Sequence, residues 1–175
     1  MEIRISLISL FLLSFSALSA KSVTEIREIK QAMIRSIESP EVTDSLYSAL
    51  KSRNSSQPLI IAYIGTLEAL KAKHSWNPYN KLKYVAQSQK TMQLAVNKSP
   101  EDIEIRFMRF SIQHYTPSFL GYSKDLNADR KMILKLFRNR SFGQADKALI
   151  KNIASFMIES KRCTAEELSL LKKYV

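Results

Sequence analysis

Glu68, Arg106, Arg109 and Gln113 are the residues whose chemistry and spacing stand out in this 175-residue chain. Glu68 lies within residues 59–70, a stretch apolar nearly all round, and a carboxylate in such surroundings must be paired or protonated. Arg106, Arg109 and Gln113 recur at i, i+3 and i+7 in a segment otherwise rich in Ile and Phe. Because the planar guanidinium fork matches a carboxylate, we expect a buried polar network in which Glu68 pairs with Arg106 or Arg109. The same group, with His114 added, could serve an enzyme only if a cleft reached Glu68 and Arg109.

Other chemistry has little material. His74 and His114 are the only histidines, 40 residues apart and near the ends of expected helices, where the helix dipole favours a positive ring. Without a histidine pair at i, i+4 the chain offers no metal motif, so no metal or cofactor is expected. Cys163, the only cysteine, stands in an expected turn with no histidine near it in sequence, which marks an incidental thiol and excludes an intramolecular disulfide. Glu101, Asp102 and Glu104 read as ordinary carboxylates at a helix start. There is no Gly-x-Ser-x-Gly elbow, glycine-rich phosphate loop or His-Glu-x-x-His helix. No catalytic residue is assigned, and the chain is not expected to be an enzyme.

Helices must position these residues. Pro40, Pro58, Pro78, Pro100 and Pro117 follow one another at intervals of 18, 20, 22 and 17 residues, each interval holding a helix and a short turn. Ser39-Pro40, Asn77-Pro78 and Ser99-Pro100 place a capping side chain before a proline at the first helical position, and Thr164-x-x-Glu167 forms a capping box. Apolar residues recur at helical spacing in Ile26, Ile29, Met33 and Ile37, then in Val42, Leu46, Ala49 and Leu50. The all-round apolar stretch 59–70 is expected to be the central helix, followed by helices near 79–97, 100–114, 125–138, 145–159 and 164–174. Eight helices result. With three glycines and no Asn-Gly or Asp-Gly hairpin signal, an all-α antiparallel array is expected.

Two loops carry aromatic residues suited to anchoring a partner: Trp76 and Tyr79 in one, Phe119 and Tyr122 in the other. Both follow helices separated by one intervening helix, so an antiparallel array would bring them out at one end, about one or two helix diameters apart.

The first twenty residues have a short start with Arg4, an apolar run from Ile5 to Leu18, and small residues at Ser19 and Ala20. This is the pattern of a secretory signal, so residues 1–20 are expected to be removed, leaving 21–175 as one domain with no transmembrane segment in the periplasm or outside the cell. Formal net charge is +11. Basic residues gather at Lys124, Arg130, Lys131, Lys135, Arg138, Arg140, Lys147 and Lys151. For an exported chain nucleic acid is not the expected partner; an acidic protein, anionic lipid or polysaccharide is.

Met92, Ala95 and Pro100 stand at the spacing of the second-helix apolar, Ala and Pro positions of a tetratricopeptide repeat. The stretch resembles a degenerate unit of that family, lacking the Trp, Leu-Gly and Tyr positions of its first helix and interrupted by Ser75-Trp76-Asn77-Pro78. The middle of the chain, 59–122, is also similar to small secreted helical proteins of unknown function from Gram-negative bacteria, a likeness that implies no activity. The chain spends its unusual residues on helix packing and supplies no recognisable catalytic set. The expected function is therefore an exported helical protein-interaction module; the alternatives are a basic binder of anionic envelope lipid or polysaccharide, and an enzyme using a Glu68/Arg109 cleft.

Overall fold

The computed structural model describes residues 24–175, and the expected signal segment lies outside them. Among the described residues there are eight α-helices and no strand: α1 over 24–36, α2 Pro40–Ser52, α3 Pro58–His74, α4 Pro78–Lys98, α5 Ile103–Tyr115, α6 Leu126–Asn139, α7 Lys147–Glu159 and α8 Ala165–Leu171. A 3-10 turn at Lys172–Tyr174 ends the chain. No helix among the described residues is long and apolar enough to cross a membrane.

Local chemistry sets the helix starts. The Ser39 hydroxyl accepts from the Val42 amide, Asn77 Oδ1 from that of Tyr79, and Thr164 and Glu167 exchange both bonds of a capping box. One start differs from expectation. Asp102, not Ser99, caps α5, accepting from the amides of Glu104 and Ile105, because Pro100 lies outside the helix with its carbonyl taken by Arg106 Nε at 2.7 Å. Ile37, expected on the apolar stripe of α1, falls just beyond that helix and is exposed.

The helices bury two apolar clusters that share α5. Ile29, Leu50, Ile60, Leu67, Met92 and Val96 form the first with Ile105 and Met108 of α5. Phe110 and Ile103 of α5 build the second with Ile133, Phe137, Ile153, Met157 and Leu171. Turning 100° per residue, α5 thus presents Ile105, Met108 and half-buried Ile112 to one core and Ile103, Phe107 and Phe110 to the other. Tyr174 closes the second core, its ring 4.8 Å from Phe137 and its hydroxyl donating to the Phe137 carbonyl. Phe142, from the loop after α6, completes that aromatic group.

α3 is the middle helix of the first cluster, packed against α2, α4 and α5. Its contact with α4 is close at Gly65, whose carbonyl accepts from Ser88 Oγ at 2.7 Å. A Cβ there would stand 2.8 Å from Met92 Sδ and 3.2 Å from the Met92 backbone nitrogen. The sulfur can swing aside; the backbone cannot. Gly65→Ala is therefore expected to cost about 1–3 kcal/mol through overpacking, measurable as a lower urea midpoint with unchanged denaturant slope.

Candidate functional site

The charged face of α5 points neither to solvent nor to Glu68 but to α6. Arg109 donates from Nε to Asp129 Oδ2 and from Nη2 to Oδ1, each at 2.7 Å, and Arg106 Nη1 reaches Oδ1 at 2.8 Å. Arg109 Nη1 also donates to Gln93 Oε1 at 2.8 Å. One turn on, Gln113 donates to Gln89 Oε1 and Asp125 Oδ2 while accepting from the Asp125 amide at the start of α6. Asp129 is 0% exposed, and Arg106, Arg109 and Gln113 are buried with it. Every nitrogen of the Arg109 guanidinium is engaged, so the group is a closed ion cluster pinning α4, α5 and α6 together.

Asp129 is the member that the reading of the residues missed. Leu126, Asp129, Ile133 and Leu136 lie on the buried face of α6. A carboxylate at an apolar-face position was the available signal.

Glu68 does not join this network. It is 0% exposed between α3, α2 and α4, and neither carboxyl oxygen has a hydrogen-bond partner. Burial raises its pKa, outweighing Thr91, Lys51, Gln87 and Tyr47, whose polar ends stand close enough to favour the charged form. The expected Glu68–Arg pair is thus replaced by an Arg–Asp129 cluster on one side of α5 and an unmatched carboxyl in the other core. Since Arg109 is engaged with Asp129 and Gln93, Glu68 and Arg109 do not form a common cleft.

The histidines and the thiol are occupied separately. His74 Nε2 stands 3.0 Å from the Ser36 carbonyl, and Cys163 is half-buried against the Met157 carbonyl, burial raising its thiol pKa. His114 Nδ1 accepts from Arg162 Nε at 2.9 Å, which assigns the ring proton to Nε2 in the neutral form. Burial, then the Arg162 charge, lowers the His114 pKa from 6.5.

His114 borders an open cleft of about 770 Å³ between the end of α5, the start of α6 and the turn joining α7 to α8. Its lining includes Lys124, Arg130, Lys161, Arg162 and His114, and none of its lining residues is Asp or Glu. Arg130 is paired with Glu167, whereas among the described residues no ion pair engages Lys124 or Lys161. Elsewhere the basic stretch is partly neutralised: Lys135 pairs with Glu101 at 2.6 Å and Arg138 lies 3.8 Å from Glu166. Tyr115 lines the cleft, and Phe119, 85% exposed, follows its lining residue Ser118. The α6 N-terminus also faces this region without a side-chain cap.

The four loop aromatics differ in exposure. Trp76 is 98% exposed and Tyr79 is exposed, while Tyr122 is half-buried. Gln113 meets Gln89, so the end of α5 is level with the middle of α4, ten residues beyond Tyr79. At 1.5 Å per residue that level is about 15 Å along α4 from Tyr79. No protein-family model, curated protein or solved structure matches the chain.

Proposed function

We propose that this chain is an extracytoplasmic helical binding protein that holds an acidic segment of a protein partner in the cleft between α5, α6 and the α7–α8 turn. The observation that carries the reading is a concave surface lined by Lys124, Arg130, Lys161, Arg162 and His114 with no carboxylate, flanked by exposed Tyr115 and Phe119. Cations with a focused field attract an acidic chain, and the aromatic rim adds contact area at low entropic cost. The α3–α4 pair, with buried Met92 and Ala95 against α3, is read as tetratricopeptide-like scaffolding that holds the first half of the molecule rigid.

A labelled synthetic peptide of alternating Glu and Phe tests the reading. Binding should weaken steeply with added salt, and Lys124→Glu with Lys161→Glu should reduce affinity about tenfold or more while leaving the melting temperature unchanged. Acidification adds a signed expectation. Below the lowered His114 pKa the ring becomes cationic, cannot accept from Arg162, and frees a second positive group into the cleft, so affinity should rise as pH falls through that value, which lies below the ordinary 6.5. Unchanged affinity in the doubly reversed variant would overturn the assignment of this cleft.

A further inference from the structure

The turns joining α1 to α2 and α3 to α4 lie side by side at one end of the molecule. Lys73 Nζ donates to the Ile37 carbonyl at 2.6 Å, and His74 Nε2 meets the Ser36 carbonyl. Exposed large apolar side chains occur in or next to both turns: Ile34 (69% exposed) and Ile37 at the first, Trp76, Tyr79 and Leu82 at the second. No Asp or Glu occurs from residue 69 to residue 100. Arg35, Lys73, Lys81 and Lys83 there stand against Glu38, which pairs with Lys73, and Glu41, held by the Ser39 hydroxyl.

From this arrangement we infer that the end carrying the α1–α2 and α3–α4 turns docks on an anionic phospholipid bilayer, with Trp76 and Tyr79 entering the headgroup region. Trp76 projects almost wholly into solvent from a three-residue turn. A protruding aromatic tip flanked by lysines suits an interface in which rings lie at headgroup depth and ammonium groups meet phosphates. The tip is ordered beforehand: the Ser75 amide closes on the Lys71 carbonyl, and Asn77 with Pro78 starts α4. Insertion therefore costs little chain entropy.

Trp76 is the only tryptophan, so its emission reports on this tip whatever else touches a vesicle. With the full chain, vesicles of phosphatidylcholine containing phosphatidylglycerol should shift its emission to the blue and protect it from acrylamide, and pure phosphatidylcholine should not. Lys81→Ala with Lys83→Ala should raise the lipid concentration at half-maximal shift about thirtyfold, from roughly a decade per 1.4 kcal/mol and about 1 kcal/mol per lysine. Emission that stays at its aqueous position on anionic vesicles overturns the inference, as does a shift of equal size on neutral ones or one that survives the lysine substitutions. Protection of Trp76 by an acidic peptide alone, with none from vesicles, would also overturn it and make the end a protein contact.

Discussion

Asp129→Ala is expected to lower stability by about 3–5 kcal/mol, because it strands Arg106 and Arg109 in the interior with their carboxylate partner gone. Three charge-assisted hydrogen bonds at 2.7–2.8 Å end on that one side chain, which has no access to water. For a chain of this size the melting temperature should drop by roughly 10 °C. Arg106→Met should cost less, since Asp129 keeps both bonds from Arg109. Thermal and urea unfolding followed by circular dichroism would decide the matter. A loss under about 1 kcal/mol for Asp129→Ala would show that the cluster is hydrated and contributes like a surface pair.

The second large effect has the opposite sign. Glu68→Gln should stabilise the protein at neutral pH, since burial disfavours the charged carboxylate and the amide carries no charge. The pH dependence follows from the raised pKa of Glu68. Folding favours the protonated acid, so its contribution is fully present below the unfolded value of 4.5 and is lost as pH rises through the higher folded value. Parent and variant should therefore be nearly equal in acid and diverge toward neutrality, the parent weakening. Urea midpoints measured across that range would show it. Curves that run parallel at every pH would mean that Glu68 titrates alike in the folded and unfolded chain. The larger loss that an ion pair with arginine would predict for Glu68→Ala has no basis in this geometry, although truncation would still leave a cavity.

The residue pattern by itself determined the helices, because proline spacing, capping side chains and apolar periodicity are local signals. Ser39, Asn77 and Thr164 cap as their positions indicate, and the all-round apolar stretch beginning at Leu59 is the middle of the first core. It also marked Glu68, Arg106, Arg109 and Gln113 as interior polar residues, since a charge or amide among apolar neighbours is visible in one dimension. What the residues could not give is who meets whom. Asp129 lies 20 residues beyond Arg109 and Glu68 lies 41 before it, so both were available partners in sequence; the choice belongs to the rotation of α5, which turns its arginines toward α6 and its Ile105 and Met108 toward α3. The basic cleft is likewise assembled from two turns far apart in the chain, that joining α5 to α6 and that joining α7 to α8. Pairing depends on helix rotation and offset, and those are set by packing two cores at once, which only the assembled chain can do.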